Sequence, residues 1–120
     1  MALRDFFQGR RQEQSGPDFS DVDQQAAAEL GRQGVLAPLY MMPLRFGGEE
    51  SEHNRLWVPP AAVELKDRWD GMVEQLLRQG KVNGYACTPE YKGDSFVPSR
   101  ITVEAKMDGR PVFTESVSIW

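Results

Sequence analysis

The chain has one cysteine, Cys87, and one histidine, His53. A single thiol closes no internal disulfide, so the fold must hold without covalent staples. Positive charge is also short. Fourteen Lys and Arg residues face eighteen Asp and Glu, and the net charge is −4. Phosphate binding needs a basic face, which argues against a nucleic-acid partner. The one basic cluster, Arg4, Arg10 and Arg11, lies in the first eleven residues. There is no apolar run of membrane length and no N-x-S/T acceptor. With the lone cysteine, these absences lead to the expectation of a reduced, cytoplasmic setting. Zinc-protease, zinc-ribbon, dinucleotide and phosphate-loop signatures are missing as well. No cofactor is implied.

What is present suits one domain. The chain has 120 residues, 40% of them hydrophobic and 27% charged, enough apolar material for one core. The most informative local feature is a phrase that occurs twice. Arg32-Gln33-Gly34 and Arg78-Gln79-Gly80 each close an amphipathic stretch and open an extended one. A basic residue in the last turn followed by Gly is a helix stop: the cation meets free carbonyls and Gly takes the left-handed cap position. Leu30 matches Leu76, Pro43 matches Pro89 and Gly47 matches Gly93 at the same offset. Shared cap and turn chemistry accounts for these few identities better than an ancient duplication does.

The first helix is expected over residues 20–33, capped by Ser20, with a thin stripe of Val22, Ala26 and Leu30. Residues 35–46 are apolar on both faces if extended. Leu36, Tyr40, Met42 and Leu44 would share one side, and Leu39 and Met41 the other. Pro38 and Pro43 favour an edge strand. Residues 55–58 read as a short returning strand containing Trp57. Pro59-Pro60 opens a second helix whose stripe is Ala62, Leu65, Trp69, Met72, Val73 and Leu76. A third strand covers 82–91, with Tyr85 and Cys87 on one face. Residues 99–106 and 111–120 form a hairpin turning at Asp108-Gly109. Parity favours a three-residue loop, 107–109, that pairs Val103 with Phe113 and keeps one apolar face.

The fold class expected is therefore α+β. It is a single two-layer domain, with a mainly antiparallel sheet of about five strands packed by two helices in the order α-β-β-α-β-β-β. Residues 1–19 would be an N-terminal segment and linker, and 20–120 the domain.

Few residues invite chemistry. His53 follows three carboxylates in Glu49-Glu50-Ser51-Glu52, but no second cluster completes a coordination sphere, and the stretch reads as a solvated loop rather than a metal site. Cys87 needs an activating base to be a nucleophile, and no catalytic group is assigned. The leading functional reading is a non-enzymatic protein-binding module, with self-association through Leu39, Met41 and Trp57 on the uncovered face of 35–46. The second is a small enzyme or ligand-binding protein with a pocket near Tyr40, His53, Tyr85 and Cys87. The third is a membrane-surface adaptor anchored by Leu3, Phe6 and Phe7, with residues 1–11 as the contact.

Overall fold

The computed structural model describes residues 18–120. Leu3, Phe6 and Phe7, expected as a membrane anchor under the third reading, and all but the last two residues of the expected N-terminal segment lie outside the described residues.

The chain is α+β, with two helices and five antiparallel strands. In order these are α1 (Gln24–Arg32), β1 (Ala37–Tyr40), β2 (Arg55–Val58), α2 (Pro60–Arg78), β3 (Gly84–Glu90), β4 (Arg100–Met107) and β5 (Arg110–Ser118). The strands divide between two sheets, a β1–β2 ribbon and a three-stranded sheet in the order β3-β4-β5. α2 packs on β1 and on the three-stranded sheet, while α1 packs on β2.

Both Arg-Gln-Gly phrases form the same cap. Gly34 N–H donates to the Gly31 carbonyl and Val35 N–H to Leu30. Gly80 N–H donates to Leu77 and Lys81 N–H to Leu76. Gly34 and Gly80 have φ of 79° and 71°, the left-handed conformation that lets these paired bonds satisfy a helix's last carbonyls. At its other end α1 starts later than Ser20: Asp23 is the cap, its side chain accepting from Ala26 N–H at 2.8 Å.

The apolar 35–46 segment is not one strand. Only Ala37–Tyr40 is extended, and Leu44–Phe46 forms a single 3₁₀ turn. Pro38 has no ladder donor to give, and Pro43 fixes the turn's entry. At Leu36 and Leu39 the two faces are covered from within the chain, while Val35, Met42 and Leu44 stay exposed. Leu36 packs with Phe19, Ala27 and Val97, while Leu39 packs with Leu56, Val58, Ala62 and Ile101. Ser95 ties the first group together: its hydroxyl donates to the Phe19 carbonyl at 2.6 Å. On the α1 side the Trp57 ring lies where any Cβ on Gly31 would be.

The terminal hairpin corrects the expected loop. Asp108 and Gly109 alone turn the chain, at φ of 51° and 83°, with Met107 opposite Arg110. Positive φ at both central residues gives the tight turn whose twist suits a hairpin. Parity is restored by a bulge instead. Lys106 pairs with Pro111, Ala105 with Phe113, and Val112 is the extra residue. Val103 is therefore opposite Glu115, not Phe113. The apolar face survives, with Ile101, Val103 and Ala105 all buried.

Neither outer edge of the three-stranded sheet is paired among the described residues. Ile119 N–H donates to Ser99, which sets odd positions of β4 toward β5 and even positions toward β3. Pro89, opposite Ile101, therefore turns its donorless nitrogen to the free edge of β3. On β5 the Val112 bulge and Glu115, a charge on the inner face, occupy the other edge.

Candidate functional site

The stripe of α2 holds a feature absent from the expected list. Ala62, Lys66, Trp69, Asp70 and Val73 are its buried residues, and their spacing of three and four residues traces one helical face. Met72, expected on that stripe, is 54% exposed, because the buried face runs through Lys66 and Asp70 on the other side of Trp69. Both charged residues are only 4% exposed. Lys66 Nζ donates to Asp70 Oδ2 at 2.6 Å, and Tyr85 hydroxyl donates to Asp70 Oδ1 at 2.6 Å. The ammonium also sits over the Tyr85 ring, 5.5 Å from its centre. Burial, reinforced by the hydrogen bond to Asp70, raises the Tyr85 pKa and keeps the phenol protonated.

The segment after β1 lies against this helix and is pinned at two points. Asn54 behaves as a strand extension: its amide oxygen accepts from Met42 N–H at 2.8 Å, and its amide nitrogen donates to the carbonyls of Met42 and Glu49, both at 2.9 Å. Arg45 reaches α2, donating to Asp67 at 3.0 and 3.1 Å and lying 3.7 Å from Glu74.

Two hollows result, one after the other along α2. The first, about 310 Å³, is lined by Pro38, Leu39, Tyr40, Leu44 and Arg45 on one wall and by Val63, Lys66, Asp67 and Asp70 on the other. The second, about 230 Å³, is lined by Met42, Phe46, Val73, Leu77, Val82 and Tyr85 among others. The second is the more apolar, and Phe46 and Tyr85 meet edge to face within it at 5.5 Å between centres. On its rim Met42 and Leu77 are 37% and 49% exposed.

The residues expected at an interface are not on a free face. Leu39 is 2% exposed, and Met41 packs against the same core. Trp57 packs on α1 with the Arg55 guanidinium 5.4 Å from its ring centre. The reason is that the two helices lie on opposite sides of the β1–β2 ribbon, so both of its apolar faces are used internally.

Nor does the expected pocket form as one unit. Tyr40 lines the first hollow and Tyr85 the second. Cys87 packs against the Leu39 and Leu56 core on the α2 side. His53 lies with Gln24, Glu52, Trp57 and Phe96 around a separate hollow. Leu56 and Trp57 are neighbours on a strand and so face opposite sides, which places Cys87 and His53 on opposite sides of the ribbon. Burial pushes the Cys87 thiol up to about 11, the reverse of nucleophile activation. Among the described residues no group of His, Cys, Asp and Glu is arranged to hold a metal ion, and no helix is long and apolar enough to cross a membrane.

Sequence reasoning missed Lys66 and Asp70. The available signal was their spacing: four residues apart and each three or four from Ala62, Trp69 or Val73, they fall within the apolar stripe. No family model, curated protein or solved structure matches this chain.

Proposed function

We propose that the chain is a non-enzymatic protein-binding module whose contact face is the second hollow and its rim. The observation that carries this reading is the exposure of Met42 and Leu77 beside a recess floored by Phe46, Val73 and Tyr85. Large apolar side chains exposed around an apolar recess are the usual mark of an interface. The face replaces the Leu39 and Met41 surface, which the chain's own core uses. Methionine at such a rim adapts to the partner's shape. The partner inserts an apolar side chain between Met42 and Leu77. A second copy of this chain is one partner of that kind. The lone, half-buried Cys87 thiol supports a reduced, cytoplasmic setting for the contact.

The test is photo-crosslinking in cells that express the chain, with a benzophenone amino acid in place of Leu77 and, as control, in place of Thr88 on the wet face of the sheet. The expected result is a dominant adduct at position 77 that is absent at position 88. An adduct of twice the chain mass identifies a second copy. Met42→Asp, at an exposed position, should remove the adduct while the melting temperature stays in place. No adduct at 77, or the same adducts at both positions, overturns the reading.

A further inference from the structure

The first hollow contains a donor that the protein-binding reading does not use. Lys66 is one of the most buried charged residues described, and its ammonium carries three N–H donors. Among the described residues it makes one hydrogen bond, to Asp70, while the Tyr85 ring covers another side. Donor capacity buried without an acceptor is unfavourable, and Lys66 lines the hollow in which an acceptor would meet it.

The hollow's charges decide what that acceptor is. Arg45 and Lys66 are matched by Asp67 and Asp70, so the charged lining sums to zero. An anion would add a third negative charge beside the two carboxylates. A cation would compete with Lys66 and Tyr85 for Asp70. Of the remaining walls, Pro38, Leu39, Pro43, Leu44 and Val63 are apolar, and Tyr40 adds one uncharged hydroxyl. We propose that this hollow binds an uncharged small molecule with an apolar body and a carbonyl acceptor, whose oxygen is received by Lys66 Nζ. A volume of about 310 Å³ suits a compact ligand of that class. Arg45, held by Asp67 and Glu74, and Asn54, holding Met42, keep the outer wall in place without the ligand.

The test titrates the full chain with N-methylbenzamide, benzoate and benzylamine, three probes of similar size and different charge, followed by amide chemical shifts. The amide should give saturable shifts at Leu39, Tyr40, Leu44 and Asp67, and bind at least about tenfold more tightly than either ion, because benzoate sets a third negative charge beside Asp67 and Asp70 and benzylamine offers Lys66 no acceptor. Lys66→Met/Asp70→Leu removes both charges together and should weaken the amide by about tenfold or more. Leu44→Trp, at an exposed rim position, blocks the mouth without touching the buried pair and should also abolish the shifts. The proposal is overturned by any of four results: no saturable shift at these residues up to the solubility of the amide, an ion bound as tightly as the amide, unchanged amide binding in Lys66→Met/Asp70→Leu, or unchanged amide binding in Leu44→Trp. Failure here leaves crosslinking at Leu77 untouched, so the two proposals stand or fall separately.

Discussion

Removing Lys66 alone should be among the most damaging changes the chain can undergo, and removing its partners with it should restore most of what was lost. In Lys66→Met the Asp70 carboxylate keeps its 4% exposure but retains, among the described residues, only the Tyr85 hydroxyl as a hydrogen-bond donor. Breaking a buried pair by deleting one partner costs about 3–5 kcal/mol, because the remaining charge is uncompensated. A domain of this size is stable by roughly 5–15 kcal/mol, so the single change removes a large fraction of the total. The melting temperature should fall by more than about 12 °C, at about 4–8 °C per kcal/mol. The triple variant Lys66→Met/Asp70→Leu/Tyr85→Phe leaves no polar atom of the network behind. It should lie within roughly 1–2 kcal/mol of the native chain, since replacing a whole buried pair by apolar side chains is often neutral or stabilising. Urea denaturation followed by both circular dichroism and tryptophan fluorescence measures the difference and checks that the transition is two-state. If Lys66→Met costs less than about 1 kcal/mol, the pair is effectively solvated, and the burial argument fails. If the triple variant is as unstable as the single one, the loss came from packing rather than from the stranded charge.

Two further outcomes follow from local geometry. Gly31→Ala should destabilise by roughly 1–3 kcal/mol through overpacking on the Trp57 ring, whereas Gly71→Ala, which meets no neighbouring atom, should stabilise by about 0.5–1 kcal/mol as a mid-helix replacement; scanning calorimetry on both variants separates the two cases. Cys87 has a folded pKa above its ordinary 9.0, at about 11, so its contribution to stability is fully present below pH 9 and is lost as pH rises toward 11. Tyr85, also raised by burial, adds to the loss above its ordinary value of 10. Melting temperature should therefore be flat through neutrality and fall above pH 9, and iodoacetamide should label native Cys87 roughly a hundredfold more slowly than the unfolded chain at pH 8, as a two-unit rise implies. A thiol that labels equally fast in both states would refute the burial assigned to it.

Much of this was legible in the sequence because local chemistry and tertiary structure agree. The two Arg-Gln-Gly caps, the Pro60 helix start, the buried face of β4 and the half-buried apolar face of β5 follow from backbone preference and side-chain period alone. The misreadings arise where tertiary contacts override those rules. The loop length at Asp108-Gly109 follows from parity only if the strands are regular, and the Val112 bulge breaks that assumption. Leu39 looked uncovered because a one-dimensional pattern does not show that the helices lie on opposite sides of the ribbon. Lys66 and Asp70 went unplaced on α2 because charged residues are ordinarily at the surface; only the three-dimensional pairing with Tyr85 makes their burial tolerable. The four-residue pocket failed for a similar reason, since Cys87 and His53 are on opposite sides of the thin ribbon.

The guarded edges of the three-stranded sheet bear on how the molecule can be read by others. A strand added to an open edge would be held through backbone amides, which are the same in every sequence, so such a contact is permissive and prone to run on into fibres. Pro89 on one edge, and the Val112 bulge with the inward Glu115 on the other, make that route unfavourable. Recognition is thereby left to side chains. Under the proposed protein-binding reading, a partner that depends on Met42 and Leu77 would be lost or gained by single substitutions, and specificity at that surface would change quickly while the fold beneath it stays the same.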